Sequence, residues 1–263
     1  MDYETSCFCD SRDPARNPFI LFYNLPRQEF QLRFESDSDS NIAKLKKLDY
    51  LERVETLIVE MLSSPHEQAG SLFDQLLFHK LTQMHVNTRR DLRTQRDANV
   101  KASDRNKQPG ASYSPAATDF PGRDDWPTVV VEVGLSESRQ KVEESVKWWL
   151  TASEGRVRTA IAIDIAMRQA QRLVVDKWEM PSDIATPVRS SSVTLFREQD
   201  GNIGMQGDAE LVIQFQRLFL RNPAPGQGDI VFTRDDLEEL ADCTWTAFGS
   251  RVHSRPPPGL YVP

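Results

Sequence analysis

The chain has 263 residues and a mass of 30.0 kDa, room for one large domain or two small ones. Hydrophobic residues make up 39% and charged residues 27%, which is enough for a core and excludes wholesale disorder, while a mean hydropathy of -0.52 leaves space for long polar segments. A net charge of -7 and a pI near 5.3 exclude attachment to nucleic acid by bulk charge, but not a local basic groove. No apolar run approaches the roughly 18 residues of a membrane span. Met1 to Asp10 lacks a basic and apolar leader. Cys7 and Cys9 are neighbours and Cys243 is distant, which is not a secreted disulfide framework. The expectation is an intracellular chain, in cytoplasm or nucleus, with no membrane partner.

In chain order, Phe19 to Tyr23 is a short apolar run. Phe30, Leu32 and Phe34 alternate with Gln31 and Arg33, so a strand pair is predicted at the start. Ser36 to Ser40 is a polar break that offers an N-cap. Leu45, Leu48, Leu51, Val54, Leu57, Ile58 and Leu62 recur at three- and four-residue steps, predicting a helix over Asn41 to Leu62. A second helix is predicted from Pro65 to about Met84, with Ala69, Leu72, Phe73, Leu76, Leu77 and Leu81 as its apolar face.

From Asn87 to Asp119 the apolar periodicity stops. Arg89, Arg90, Arg93, Arg96, Lys101, Arg105 and Lys107 outnumber the nearby acids. A loop this long is usually functional or disordered, unless weak strands lie hidden in it. Its basic side chains suit phosphates, with Arg89, Arg90, Arg93, Arg96 and Lys101 as candidate nucleic-acid contacts. The plain alternative is a solvated loop, and no aromatics are interleaved for base stacking.

Thr128 to Val133 is a β-branched run, as in a strand covered on both faces. A helix from Ser136 to about Ala152 and a strand from Arg158 to Ile165 complete a βαβ unit with parallel strands. Further strands are predicted at Arg172 to Trp178, Ser192 to Phe196 and Leu211 to Phe219. Thr233 to Asp236 resembles a capping box for a last helix through Ala247, which Gly249 would end. Ser254 to Pro263 reads as an extended, Pro-rich tail.

Glu132 is a charge inside an apolar strand, and such a carboxylate must be paired or hold a metal. The structural alternative is a Glu that caps the Ser136 helix or pairs with an Arg. His66 could be a ligand or a hydrogen bond at a helix start. His79 and His85 form no recognised pair with it. Cys7 and Cys9 lack the second ligand pair of a zinc site. Trp148 and Trp149 read as packing residues before a base-stacking platform. No Gly-rich phosphate loop or nucleophile elbow is present.

The run Pro127 to Ser138, with Glu132-Val133, Ser136-Glu-Ser138, Lys147, Gly155 and the strand to Ile165, resembles the PD-(D/E)xK nuclease-like superfamily. The nearest branch is the Uma2-type endonuclease candidates and related fungal proteins of unknown role. Ser64-Pro-His-Glu67 resembles the start of that branch's early helix. The likeness runs from about Ser63 to Trp178. It implies an α/β fold with a restriction-endonuclease-like mixed central sheet flanked by helices, extended at both ends. It implies hydrolysis of phosphodiesters with Mg²⁺ or Mn²⁺ held by carboxylates. Glu132 and Glu67 would then be catalytic and metal ligands, and Lys147 the relocated lysine.

Two departures stand against activity. The acid expected after a Pro on the preceding strand falls at Pro115-Ala116, leaving Asp119, Asp124 or Asp125 as substitutes, of which Asp125 is taken as the third metal ligand. Gly134 stands where the usual Lys would follow Glu132. Lys147 also lies four residues after Glu143, an ordinary helix contact. The alternative function is an inactive module that binds nucleic acid or a protein partner. The expected organisation is a strand pair and linker over 1–40 and a nuclease-like core over 41–180. C-terminal strands and a helix of the same domain follow over 181–250, then the tail over 251–263.

Overall fold

The computed structural model describes residues 19–35, 46–61, 64–94, 100–116, 126–135, 139–167, 171–181 and 185–252. Strand β1 (Phe19–Phe22) leads to a short helix α1 (Arg27–Phe30), which continues as a π-helical turn over Gln31–Glu35. The strand predicted at Phe30 to Phe34 is thus overturned. Phe30 and Phe34 act as a four-residue helical pair, with ring centroids 6.0 Å apart and Phe30 stacked on Tyr50 at 4.2 Å. Leu32, which the alternation places inside, is 72% exposed.

The helix predicted over 41–62 is also overturned. Its described part is a hairpin of β2 (Lys46–Leu51) and β3 (Thr56–Met61), joined by a 3-10 turn at Glu52–Val54. Glu55 closes that turn in the left-handed region (φ 45). The alternation of two strands across a short turn imitates a helical stripe. Leu48, Tyr50, Leu57 and Val59 join Leu25 and Phe30 in one apolar cluster. Lys47, Asp49, Ile58 and Glu60 face the other way, into a polar cavity.

Helix α2 (Ser64–Gln83) is as expected. The stretch predicted as a loop from 87 to 119 instead holds α3 (Thr88–Asp91), β4 (Leu92–Thr94), β5 (Val100–Lys101), β6 (Arg105–Lys107) and β7 (Ala111–Pro115). These strands lack an apolar signature because some bury polar groups: Asn106, Lys107 and Ser112 are all inaccessible. Then come β8 (Val129–Leu135), α4 (Arg139–Ala152) and β9 (Thr159–Ala166), with β8 and β9 parallel as predicted.

An antiparallel meander follows: β10 (Arg172–Glu179), β11 (Val188–Arg197) and β12 (Ile203–Gly207). The strand predicted to Phe219 stops early. It is β13 (Leu211–Ile213), and helix α5 (Phe215–Phe219) follows, where Phe215 and Phe219 share one helical face with tilted rings 4.6 Å apart. β14 (Ile230–Phe232) pairs with β13. Helix α6 (Arg234–Val252) runs past Gly249, which does not end it. Asp236 accepts the Thr233 backbone N–H at 2.6 Å and its hydroxyl at 2.7 Å, closing the cap read from the sequence.

Among the described residues the strands form three sheets. A seven-stranded mixed sheet has the order β12-β11-β10-β9-β8-β7-β4, a five-stranded one the order β1-β3-β2-β6-β5, and β13-β14 form a ribbon. Odd-numbered residues of β8 to β11, such as Val131, Ile163, Val175 and Leu195, pack with α2 and α6. Val130, Ala160, Ala162 and Trp178 pack with α4 on the opposite face. This is the mixed α/β architecture with helices flanking a central sheet that the motifs implied. No helix among the described residues is long and apolar enough to cross a membrane.

Candidate functional site

Strand β8 is covered on both faces, so its one charge is driven inside. Glu132 lies on the α4 side of the sheet, level with Ala162 of β9, and is 2% exposed. Two residues one helical turn apart on α4 reach it: Ser145 Oγ donates to Oε1 at 2.9 Å, and the Trp149 indole N–H donates to the same oxygen. The Lys47 ammonium of β2 donates to Oε2. The Lys107 ammonium of β6 stands 3.7 Å from Oε1.

The five-stranded sheet supplies these lysines because Lys47 and Asp49 share a face of β2, and Lys107 pairs opposite Asp49. Lys107 Nζ lies 3.6 Å from Asp49, which also accepts a two-pronged contact from Arg105. Glu60 sits opposite Lys47 in the register. Lys141 enters from α4, its ammonium over the Phe19 ring at 3.1 Å from the centroid. Together these groups surround a cavity of about 20 Å³. That is room for about one water molecule.

Burial alone would favour the neutral forms of Glu132, Lys47, Asp49, Lys107 and Lys141. For Glu132, Lys47 and Lys107 overcome that tendency and hold the carboxyl at about 2. Burial would also lower Lys47, but Glu132 and Glu60 prevail and its pKa is raised. Asp49 is lowered, since Lys107 and Arg105 outweigh its burial. Lys107 goes down because burial wins against its two carboxylates, and Lys141 is lowered by burial to about 8.

A divalent cation would need two or three free oxygen ligands at about 2.0–2.6 Å. The donors here do not fit it. Glu132 already accepts from an ammonium, a hydroxyl and an indole. Among the described residues no three His, Cys, Asp or Glu side chains are grouped to hold a metal ion.

The register places Pro115-Ala116, where the resemblance puts the missing acid, away from Glu132. Pro115 pairs with Leu92 of β4, at the far end of β7. The position beside Glu132 is Gly110, one residue beyond the Ala111–Val131 pair. A Cβ there would lie 2.8 Å from the Val131 carbonyl oxygen and 3.7 Å from the Glu132 Cα. The position beside Glu132 is thus a Gly that lets two backbones approach closely.

Of the other predicted residues, Glu67 is exposed on α2 and does not line the cavity. Its neighbour His66 is the buried one. The His66 ring bonds to the Val133 backbone, its Nε2 lacks a hydrogen-bond partner, and burial lowers its pKa. Lys147 also points away. It lies 3.7 Å from Glu143 and over the Trp178 ring at 4.7 Å, the helix contact given as the alternative. Trp149 packs edge-on against both Trp126 and Trp148.

Arg89, Arg90 and Arg93 are exposed on α3 and β4, at one edge of the large sheet, while Lys101 is exposed on β5. Asp125, Asp119, Asp124, Arg96, Ser136 to Ser138, Cys7 and Cys9 lie outside the described residues. Sequence reasoning missed Lys47, Asp49, Glu60, Lys107 and Lys141. One usable signal existed for Lys141. It precedes Ser145 by four residues, as Ser145 precedes Trp149, so all three share a helical face.

No family model matches the chain, and no curated protein does. Among solved structures, the chain is similar to a candidate nuclease of the DUF820 family from Anabaena variabilis ATCC 29413. The TM-score is 0.41 at 12% identity, over 74% of this chain and 90% of that one.

Proposed function

We propose that this chain is a nucleic-acid-binding module of nuclease-like architecture in which metal-dependent hydrolysis has been lost. One observation carries the reading. The strand carboxylate, Glu132, is neutralised by the Lys47 and Lys107 ammonium groups instead of being left free for a cation. Two further features point the same way: Gly110 beside Glu132, and the outward direction of Glu67. A Mg²⁺ or Mn²⁺ ion would have to displace Lys47 and strand its ammonium in a buried site, at several kcal/mol.

Binding, as distinct from cleavage, is supported by Arg89, Arg90 and Arg93, exposed together beside one sheet edge. Their contacts would be to phosphates and would weaken steeply with salt. The test incubates the purified full chain with plasmid, single-stranded DNA and RNA, each with Mg²⁺ or Mn²⁺. Glu132→Ala runs alongside. The expected result is no cleavage above that variant. Fluorescence anisotropy should show binding of labelled strands at 50 mM salt that is lost at 200 mM and in Arg89→Ala/Arg90→Ala/Arg93→Ala. Cleavage that disappears in Glu132→Ala would reinstate the enzyme. Absence of binding at low salt would end the nucleic-acid reading.

A further inference from the structure

A second cavity, of about 540 Å³, opens beside the C-terminal end of α4. That is within the 300–1,000 Å³ range of small-molecule sites. Its walls come from places far apart in the chain. Arg53 arrives from the β2–β3 turn, Lys101 from β5, Trp126 from the approach to β8, and Trp148 and Arg156 from the end of α4 and the turn after it. Asp104 and Glu154 also face the space, so among the described residues three cations are set against two acids.

The aromatic wall is rigid. The Arg105 guanidinium lies 5.1 Å from the Trp148 ring centroid, and Trp149 meets that ring edge-on at 4.9 Å. Arg105 is itself anchored on Asp49. A wall fixed before binding loses little freedom when a ligand arrives. The Trp148 indole nitrogen is buried without a hydrogen-bond partner. Guanidinium groups match phosphate oxygens two at a time, and aromatic walls accept flat rings.

A small inorganic anion would have no use for the tryptophans, and an apolar ligand none for the cations. We propose that this cleft binds a nucleotide, with its phosphate on Arg53, Lys101 and Arg156 and its base against the tryptophan wall. The nucleotide is either free or the terminal unit of a single strand. This holds or fails independently of whether Arg89, Arg90 and Arg93 grip long nucleic acids.

The experiment is calorimetric titration of the full chain with AMP, adenosine, inorganic phosphate, phosphotyrosine and a 5′-phosphorylated octadeoxyadenylate. AMP is expected to bind at least tenfold more tightly than adenosine or phosphate. Arg53→Ala and Lys101→Ala, at exposed positions whose loss leaves the fold intact by circular dichroism, should each weaken AMP several-fold. Their combination should abolish detectable binding. An octamer tighter than AMP assigns the cleft to strand ends, and equal affinities assign it to free nucleotides. The proposal is overturned if AMP gives no heat at millimolar concentration, or if phosphate alone binds as well. It is also overturned if phosphotyrosine is preferred, or if the double variant binds AMP like the native chain.

Discussion

Replacing Lys47 by Met tests the electrostatic reading of the buried centre most directly. The substitution keeps the length of the side chain and removes its charge. The Glu132 carboxyl is held at about 2 against an ordinary 4.5. At 1.36 kcal/mol for each tenfold change, the surroundings favour the ionised form by about 3 kcal/mol. Lys47 is the largest favourable contributor, with Lys107 and the Trp149 hydrogen bond behind it. Lys47→Met should therefore cost about 3 kcal/mol, at the low end of the scale for breaking a buried ion pair. Glu132→Gln should cost a similar amount, because it leaves two ammonium groups facing only Asp49 and Glu60.

The double variant removes both charges at once. It should lose less than the sum of the single losses, by at least about 1 kcal/mol. Urea unfolding followed by circular dichroism measures all four states. The pH dependence supplies a second reading. A carboxyl depressed on folding contributes stability that is present above its unfolded value of about 4.5 and disappears as pH falls from there towards 2. In Lys47→Met the folded value rises, so less of this acid-sensitive stability is there to lose. Strictly additive costs, or a Lys47→Met cost below about 0.5 kcal/mol, would refute the ion-pair argument.

Three further outcomes are expected. His66 is buried with its pKa lowered, so the folded state resists its protonation; stability should fall as pH drops below about 6.5, and thermal melts of His66→Leu should show a flatter slope between pH 7 and 5. Lys141, lowered to about 8 and only partly covered, should be acylated at pH 8 ahead of the other lysines, as read by peptide mass spectrometry; uniform labelling would contradict its placement. Gly110→Asp would put back an acid beside Glu132, but its Cβ would press on the Val131 carbonyl; the expected result is a loss of about 1–3 kcal/mol and no rise in melting temperature with millimolar Mg²⁺.

The large sheet was legible because double coverage leaves a plain mark. Val129 to Val133 is a continuous apolar run, and a charge within it, Glu132, stands out. The βαβ unit followed from spacing alone. The partners of Glu132 did not, because Lys47 lies 85 residues away and one sequence carries no record of such pairing. The leucines of 45–62 compounded the error, since two alternating strands across a short turn mimic a helical stripe. Lys141 is legible from helical phase, since it shares the face of Ser145 and Trp149. Pro115 lies at the far end of β7, and Pro109-Gly110 at the end beside Glu132, a difference that only the strand register reveals.

Lys47, Lys107 and the closure of the pocket have one origin. β2 brings Lys47, β6 brings Lys107, β3 brings Glu60, and β1 brings Phe19, all from the five-stranded sheet. That sheet both neutralises Glu132 and lids it, leaving about 20 Å³. A phosphodiester with its flanking sugars needs a cleft of hundreds of cubic ångströms, so it cannot reach Glu132 while the sheet stays in place. Removing the lysines would free the carboxylate without admitting a substrate. Opening the sheet would separate Lys47 and Lys107 from Glu132 and leave buried charges unpaired, while Leu48, Tyr50, Leu57 and Val59 on its other face stay packed on Leu25 and Phe30. Glu132 of the large sheet is thus the anchor of the second sheet, through Lys47 and Lys107. Among the described residues, the cleft at the C-terminal end of α4 and the basic edge at α3 and β4 lie outside this closed centre.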